Sequence, residues 1–563
     1  MDIYSPELDE LLNQIEVERR RKIIDYKSGS DFKYYDTDGN ISKLKIYNNN
    51  IIEARRGCGK TSLILKTLRD NNDIAVKCDC QSFRAETEEN IVLKLLTAIA
   101  TEIRDENIHQ YNELMQEYNQ NTKGLLGFFK AHFNKELKEL KFRLDSLMTY
   151  RQHITEVSDL IQQVCDMPEE RTITYSSSNK NSTHNKSETV HRKNRNMNVS
   201  AGLTYANDYV DLASKLAAER DKLSSFEASN TNEAEETSSN TYTKKILRRN
   251  EVIALKGIME ELLVSSKKIH NKGTTLFLDD FYQIERNSHP FVIQYLHDLY
   301  KNTPQNTFCF KLVSLPSSLM INKKNETTFS LKDDFSQIRL DYDLSELDKV
   351  QEHLIDTLVA LDKTGKWDRI SITHLFSNDE AIKYLAIATG GIPRDFMTSF
   401  GDAVKIARKA RRVNISKDNI YSVIKNIREE KQKNYEADSD LPEEKIEKAV
   451  EIIANSIVSS LNTSVILYPQ EKATQHDILL KNLVNLRYLH LIKDNITSKK
   501  TEGKCKAYLV DMTFYAYSRL KTDFGFCKFW ERTPNGTLEN LRNAKVWSFD
   551  DKDYDDIVGN KGA

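Results

Sequence analysis

The chain has 563 residues, of which 39% are hydrophobic and 29% charged, and its formal net charge is −2 at pH 7. A chain of this length is too long for one hydrophobic core, so about two to four domains are expected. Because the net charge is close to zero, the protein as a whole has no electric field that would attract nucleic acid. No apolar run approaches the length of a membrane span and the first residues lack the pattern of a signal peptide, so we expect a cytoplasmic protein.

A phosphate-binding loop is the first recognisable feature. Residues 51–61 are typical of an apolar strand end, a glycine-bearing turn and Lys-Thr at a helix start. In this arrangement backbone N–H groups point at phosphates, Lys60 reaches the β- and γ-oxygens, and the Thr61 hydroxyl can bind Mg²⁺. Ala54 stands where the motif usually has glycine, so an ordinary helix start is the alternative. The residues predicted to bind a nucleoside triphosphate are Arg56, Gly57, Cys58, Gly59, Lys60, Thr61 and Ser62.

A second strand is predicted at residues 74–78, ending in Cys78-Asp79-Cys80. Two cysteines so close could suggest metal ligands, but the preceding apolar residues favour a strand end. The seven cysteines of the chain are an odd number and form no pair of CxxC units. Free thiols in a reducing compartment are therefore expected.

An insertion is predicted at residues 105–249, because the chain between the second and third strands is far longer than a helix and its loops require. Apolar residues recur at helical spacing in its first part, which predicts a long helix with a packing seam. A second helix is expected at residues 205–225, and the polar residues 172–198 and 229–243 predict mobile loops or exposed hairpins. We expect this arm to contact a protein partner. The seam residues are Leu137, Leu140, Leu144, Leu147, Ile154, Ile161 and Val164.

An aromatic cluster lies within the insertion at residues 124–133. It could enter a membrane interface or a groove on a partner. The alternative is that it packs at the base of the arm.

Two adjacent acids follow the third predicted strand, whose apolar part is residues 276–278. In open α/β sheets ligands bind at the carboxyl ends of the strands, which is where Asp279 and Asp280 would lie. Asp279 is predicted to hold Mg²⁺ through water, and Asp280 to orient or deprotonate the attacking water. A strand that ends in an ordinary polar turn is the alternative.

Two further polar residues follow in chain order. Residues 308–314 predict a strand that ends at Ser314, whose hydroxyl could reach the γ-phosphate or the water. Residues 389–395 interrupt a helical pattern and place Arg394 at a helix start, where its guanidinium could bind phosphate; a surface ion pair is the alternative. With a last strand at residues 337–342, the alternation of strands and helices predicts an α/β fold, a parallel sheet covered by helices.

The phosphate loop, the Leu-Asp-Asp strand, the polar tip of the next strand and Gly-Ile-Pro-Arg, in this order, resemble the AAA+ ATPases. The resemblance is closest to their replication-initiator (origin-recognition) clade and its bacterial relatives, and it covers most of the chain outside residues 104–249. It implies an ATPase with ATP and Mg²⁺ as ligands. The residues implied to act in catalysis are Lys60, Asp280, Ser314 and Arg394, and those implied to hold Mg²⁺ are Thr61 and Asp279.

Three departures from the family pattern bear on the rate of hydrolysis. Asp280 stands where the family usually has glutamate, which is one methylene longer. No arginine occurs at residues 322–336, where an arginine finger is expected, so Arg286 and Arg339 are the candidates left. Ala54 is the third departure. Together they favour a slow switch over a processive motor, similar to the signal-transducing ATPases of the STAND group.

The resemblance also implies a domain order. After a lead-in at residues 1–40, the nucleotide domain would comprise residues 41–104 and 250–344, followed by a helical lid at 345–435, a winged helix at 436–530 and a tail at 531–563. Helices at residues 444–461 and 475–491 and a hairpin at 492–510 support the winged helix. Its basic residues are Lys481, Arg487 and Lys493 on or near the second helix and Lys499, Lys500, Lys504 and Lys506 in the hairpin.

The leading hypothesis is an ATP-binding, slowly hydrolysing switch whose lid moves the winged helix and the arm. Its output would be contact with double-stranded DNA or recruitment of a protein partner, in a setting such as phage defence or control of mobile elements. AAA+ relatives usually assemble, which suggests a homo-oligomer. The alternatives are a nucleotide-stabilised scaffold with negligible hydrolysis and a DNA-binding regulator whose ATPase site is vestigial.

Overall fold

The computed structural model describes residues 2–19, 34–36, 38–122, 135–176, 241–316, 318–321, 327–431, 441–516 and 528–559. The helix predicted at residues 205–225, the aromatic cluster at 124–133 and most of the polar segments 172–198 and 229–243 lie outside these residues.

The described strands form three sheets. In chain order they are β1 (Asn50–Glu53), β2 (Ile74–Asp79), β3 (Glu170–Ser176), β4 (Thr241–Leu247), β5 (Thr274–Asp279), β6 (Phe308–Ser314), β7 (Ser336–Arg339), β8 (Val465–Pro469), β9 (Leu489–Thr497), β10 (Lys504–Val510) and β11 (Lys545–Val546). The largest sheet has the order β2-β5-β6-β1-β7, and all its strands are parallel. The α/β fold class predicted from the sequence is therefore confirmed.

Helices cover the main sheet and build the rest of the described chain. They are α1 (Pro6–Arg19), α2 (Asn40–Leu44), α3 (Lys60–Arg69), α4 (Glu88–Asn121), α5 (Lys135–Cys165), α6 (Arg248–His270), α7 (His289–Asn302), α8 (Leu331–Asp334), α9 (Leu347–Leu361), α10 (Arg369–Thr373), α11 (Asp379–Ala388), α12 (Pro393–Lys409), α13 (Lys417–Lys431), α14 (Glu443–Ile453), α15 (Gln470–Gln475), α16 (Asp477–Asn485), α17 (Glu539–Arg542) and α18 (Asp551–Val558).

The middle strands of the main sheet are apolar because helices lie on both faces. Every residue of β5 and β6 is buried, as expected of parallel strands inside an α/β layer structure. The polar residues that end these strands therefore emerge together at one edge of the sheet.

The long helices α4 and α5 form the described part of the arm. The seam predicted at residues 137–164 lies largely on the buried face of α5, which packs against α4 and α6. The Tyr150 hydroxyl donates a hydrogen bond to the carbonyl of Leu262, 2.9 Å away. Helix α4 continues unbroken through residue 104, so its first half belongs to the core beside the sheet. Strands β3 and β4 form an antiparallel pair that leads to α6.

Residues 344–431 form a helical bundle that contains α9 to α13. Its buried apolar side chains share one core with α1 and with residues 441–516 and 528–559. The indole Nε1 of Trp367 donates to the carbonyl of Glu7, 3.3 Å away, which ties α1 to this bundle.

The C-terminal unit, residues 441–516 and 528–559, combines helices with a four-stranded sheet of order β11-β8-β10-β9. A π-helical turn at Ala454–Leu461 extends α14. The predicted hairpin is present as β9 and β10, and Gly503 lies in its connection with φ 99°. The helix predicted at residues 475–491 is wrong at its C-terminal end. Helix α16 stops at Asn485 because Arg487 adopts the left-handed conformation, and residue 489 begins β9.

Within the described residues, no helix is long and apolar enough to cross a membrane. In the same part of the chain, no cluster of three or more His, Cys, Asp or Glu side chains could hold a metal ion. Strand β2 ends at Asp79, between Cys78 and Cys80 and one residue beyond the predicted bounds 74–78.

Candidate functional site

A pocket of about 430 Å³ lies at the carboxyl edge of the main sheet, between the loop after β1 and the helices α9 and α12. All the residues predicted to bind the nucleotide line it. They are Arg56, Gly57, Cys58, Gly59, Lys60, Thr61, Ser62 and Arg394, together with the predicted catalytic Asp280. Two segments more than two hundred residues apart in the chain, the loop at 54–61 and the end of β5, therefore meet at one site.

The loop conformation explains its glycines. Gly57 and Gly59 have φ values of 92° and 84°, which other residues rarely adopt. A Cβ atom on Gly57 would lie 2.8 Å from the Ile392 side chain and 3.2 Å from the Cβ of Arg394. Ala54 still belongs to the sheet, because its N–H donates to the carbonyl of Ser314 at 3.2 Å. Alanine at this position therefore leaves the turn itself unchanged.

Lys60 begins α3 and is almost fully buried. Its Nζ donates to the carbonyl oxygens of Ala54, 2.8 Å away, and Arg55, 3.2 Å away. Burial lowers the pKa of Lys60, and the charge of Asp280 opposes that shift. The ammonium group is thus held within the loop by two carbonyls that phosphate oxygens can replace.

Asp279 ends β5 and carries the features of a magnesium ligand. Its Oδ1 is buried and has no hydrogen-bond partner among the described residues, while Oδ2 lies 3.7 Å from Lys77 Nζ. Burial and the neighbouring Asp280 raise the pKa of Asp279, and Lys77 and a hydrogen bond with Thr61 oppose the shift. A hydroxyl and an unpaired carboxylate oxygen side by side are the ligand types that Mg²⁺ prefers. Thr61 and Asp279 therefore fit the ion.

Asp280 is the first residue after β5 and has a left-handed backbone, with φ 51°. For a residue other than glycine this conformation costs roughly 1–2 kcal/mol, and it turns the chain away from the strand direction. Burial raises the pKa of Asp280, whereas the positive charges of Lys60, Arg56 and Arg394 lower it. The carboxylate therefore lies among cations in the pocket.

Ser314 lies at the end of β6, the strand between β5 and β1. Its side chain is fully buried, and its Oγ has no hydrogen-bond partner among the described residues. A buried hydroxyl without a partner costs about 1–3 kcal/mol, so a ligand or a water is its expected partner.

Arg394 lies in the first turn of α12, where Pro393 occupies the first helical position. Its backbone N–H donates to the carbonyl of Gly57 at 3.2 Å, so the helix start is bound directly to the phosphate loop. The side chain faces the pocket and influences Asp280 electrostatically.

The sequence did not indicate the aromatic and apolar part of the pocket wall. There the rings of Tyr342 and His353 lie 4.3 Å apart at 31°, and Tyr34, Leu361 and Met397 complete the wall. Aromatic and apolar walls of this kind suit a nucleobase. These residues come from three distant segments and carry no motif, so no sequence signal could have found them.

Arg55 and Asp341 form a second feature that the motifs did not reveal. Their ion pair joins Nε and Oδ1 at 3.0 Å, and the Arg55 N–H donates to the other carboxylate oxygen at 2.9 Å. The Cys58 thiol donates to Asp341 at 3.0 Å. Burial raises the pKa of Asp341, but Arg55 and these hydrogen bonds outweigh it and hold the pKa below its usual value. The pair fixes the shape of the loop from outside the pocket.

Most cations predicted to contact DNA have other partners in the structure. Lys481 pairs with Asp477 at 2.6 Å, and Lys506 with Asp494 at 3.4 Å. Further ion pairs or hydrogen bonds join Lys499 to Glu539, Lys500 to the Asn543 carbonyl and Arg487 to Asp395. Lys493 and Lys504 line a separate hollow of about 320 Å³ with Arg532 and Arg542.

Helix α16, which corresponds to the predicted groove-binding helix, faces the main sheet. Leu480, Lys481 and Val484 line a cavity of about 390 Å³ together with Glu53 and Arg339. A DNA major groove must admit a whole helix. Helix α16 could enter one only after the C-terminal unit moves away from the sheet.

No family model matches the sequence, and no curated protein matches it. Several solved structures are similar in part. RuvB from Thermotoga maritima, a Holliday junction branch migration motor, is 14% identical, with 46% of this chain and 73% of RuvB covered and a TM-score of 0.22. Cdc6p from Pyrobaculum aerophilum is 12% identical, with coverages of 53% and 75% and a TM-score of 0.22. A chain of the Drosophila ORC structure bound to DNA is 9% identical, with coverages of 92% and 93% and a TM-score of 0.30.

These identities and TM-scores are low, and the function proposed below depends on the geometry of the site. The parallel sheet and the loop between β1 and α3 define the class of the fold. The chain has an α/β P-loop fold with helical insertions.

Proposed function

We propose that this protein is an ATP-binding, slowly hydrolysing switch of the AAA+ type. The observation that carries the proposal is the meeting of Lys60, Asp280 and Arg394 in one pocket, with the Thr61–Asp279 pair beside them. Basic groups for phosphates, oxygen ligands for a cation and an acid for water are the parts that phosphoryl transfer needs.

Each residue has a distinct role in this proposal. Lys60 and the N–H groups of the loop bind the phosphates, and Arg394 binds them from the side of α12. Asp280 orients or deprotonates the attacking water, and the Ser314 hydroxyl contacts the water or the γ-phosphate. Bound Mg²⁺ would neutralise negative charge on the phosphates.

Slow turnover follows from two features of the chain. One is the short side chain of Asp280, and the other is the lack of an arginine at residues 322–336, where an arginine finger is expected. The Asp280 carboxylate is one methylene shorter than glutamate and leaves the backbone from a left-handed position. Of the arginine-finger candidates, Arg339 is 68% exposed at the side chain and lies 3.9 Å from Glu53, outside the nucleotide pocket. A second protein copy could receive this arginine, which agrees with the homo-oligomer predicted from the resemblance.

The output of the switch would be movement of the C-terminal unit and the arm. The order of α14, β8, α15, α16 and the β9–β10 hairpin supports a winged-helix arrangement, and the cationic hollow beside the hairpin supports contact with DNA phosphates or an acidic partner. We propose this contact as the output that nucleotide binding controls.

Lys60→Ala should weaken ATP binding by about 100-fold, because a charge-assisted contact with phosphate is lost. Titration calorimetry with ATP and Mg²⁺ measures the effect. Lys66→Ala is the matched control, since Lys66 is on the same helix but pairs with Asp70 at 3.1 Å. Equal ATP affinities of the Lys60 variant and the wild type would overturn the assignment. Binding without any phosphate release would favour the scaffold alternative.

A further inference from the structure

We propose that the C-terminal unit is a working part of the nucleotide site, in which Arg487 and His490 act as positioning residues for the phosphate loop. Docking of this unit would then raise the affinity for nucleotide. The inference rests on the proposed function, because it assumes that the pocket binds a nucleoside triphosphate.

Arg487 joins the C-terminal unit to both sides of the loop. Its Nη2 donates to the carbonyl of Arg56 at 3.1 Å, and its Nη1 forms an ion pair with Asp395 in the first turn of α12. Arg56 and the neighbouring Arg394 both line the nucleotide pocket. One guanidinium therefore connects the loop with the helix that carries Arg394.

The backbone of Arg487 is shaped for this contact. Helix α16 ends in a Schellman motif, in which the Tyr488 N–H donates to the Leu483 carbonyl and the Arg487 N–H to the Val484 carbonyl. Arg487 occupies the left-handed position of that motif with φ 64°. Glycine or asparagine is the usual residue there. The arginine side chain leaves this bend toward the phosphate loop.

His490 contacts the loop at a second point. Its Nδ1 lies 3.3 Å from Arg55 Nη1, and its Nε2 lies 2.7 Å from Asp511 Oδ2. The arginine can only donate, so Nδ1 accepts and the proton on Nε2 is donated to Asp511. All three side chains are buried.

Gly390 allows these groups to approach each other. Arg55 Nη2 donates to its carbonyl at 2.9 Å, and its φ is 59°. A Cβ atom on Gly390 would lie 2.3 Å from His490 Nδ1. The loop, the helical bundle and the C-terminal unit therefore meet around Arg55.

The C-terminal unit supports the loop without filling the ligand space. No described residue of that unit lines the nucleotide pocket. Its contacts with the loop are to the Arg55 side chain and the Arg56 carbonyl, and the Arg55 carbonyl also accepts from Lys60. Loss of these contacts would make the turn that positions Lys60 more mobile. Nucleotide binding would then have to order this turn, and the entropy cost would lower the affinity.

The coupling must act in both directions. If docking raises the affinity for nucleotide by some factor, bound nucleotide strengthens docking by the same factor. In the docked position α16 faces Glu53 and Arg339 and is covered. Because nucleotide would strengthen docking, it would also reduce the exposure of this helix.

The test compares full-length variants. Arg487→Ala should weaken binding of a fluorescent ATP analogue with Mg²⁺ by about tenfold, within the range of measured couplings. Arg487→Lys, which can keep the ion pair with Asp395, should weaken it less. Lys552→Ala, at an exposed position of the same unit, should bind as the wild type does. Asp395→Asn removes the same ion pair by changing the other partner, and it should reproduce most of the loss of affinity for the ATP analogue. This second variant tests the inference even if the Arg487 variant does not fold.

Hydrogen exchange supplies a readout that a purely structural role would not move. Nucleotide should slow exchange in residues 487–492 of the wild type and have a smaller effect in Asp395→Asn. Wild-type affinity and wild-type protection in folded Arg487→Ala or Asp395→Asn would overturn the inference while leaving ATP binding in place. Absence of nucleotide binding by the wild type would overturn the proposed function and the inference together.

Discussion

The carboxyl groups of Asp279 and Asp280 lie in an environment that disfavours their charged forms. Burial raises the pKa of both carboxyl groups, and Asp279 also faces the charge of its neighbour. Lys60 and Lys77 compensate only in part. Carboxyl groups with shifted pKa values are common at sites that bind a charged ligand. The proposed function therefore depends on these two residues, whose environment a bound cation and phosphates would complete.

Asp279→Asn should stabilise the ligand-free protein and abolish Mg²⁺-dependent binding of nucleotide. The carboxyl group with a raised pKa is destabilised in its charged form, so removing the charge should raise the unfolding temperature. Differential scanning fluorimetry with and without ATP and Mg²⁺ measures both effects. The sign of the pH dependence is fixed: the stabilisation is largest at neutral pH and disappears as acid protonates Asp279 in the wild type. A lower unfolding temperature at pH 7 would contradict the account.

Most strands of the main sheet were predictable because their apolar runs end in polar residues, but β7 stops at Arg339 rather than at residue 342, and β8 was not predicted. The expected strand at residues 308–314 coincides with β6, and the acids after residue 278 end β5 as predicted. Element ends set by single backbone conformations were harder to predict. Arginine gives no sequence signal for the left-handed bend at residue 487, and the helix prediction therefore continued to residue 491.

One buried hydroxyl adds to the apolar contact of α5 with α6. Tyr150→Phe should weaken local stability of α5 by about 1 kcal/mol, because the hydrogen bond to Leu262 is lost. Amide exchange near residue 150 should accelerate about fivefold. Tyr111→Phe, on the partly exposed face of α4, is the control and should leave exchange unchanged. Identical exchange in the two variants would show that this hydrogen bond does not hold the arm.

The whole molecule brings together residues that no local pattern connects. Arg55 and Asp341 are 286 positions apart, and Arg55 and His490 are 435 apart. Motif spacing could predict Lys60, Thr61 and the two acids, since each follows a strand in a fixed manner. The contacts of Arg55 depend on how separate parts of the chain dock, and a single sequence does not encode that docking as a pattern.

Docking also changes the interpretation of the C-terminal unit. The sequence predicts a DNA reader from its helices and hairpin, whereas α16 faces the sheet and Arg487 contacts the phosphate loop. A switch built in this way would expose its reading surface when the loop is empty and cover it when nucleotide is bound. Nucleotide and DNA would then compete through the position of one unit.

The most direct test of the central claim is a structure determined with a non-hydrolysable ATP analogue and Mg²⁺. We predict triphosphate in the pocket after β1, with Lys60 Nζ turned from the Ala54 carbonyl to the phosphates and Mg²⁺ beside Thr61 and Asp279. Nucleotide bound elsewhere, or Lys60 and Asp279 without contact to the triphosphate or its ion, would contradict the account.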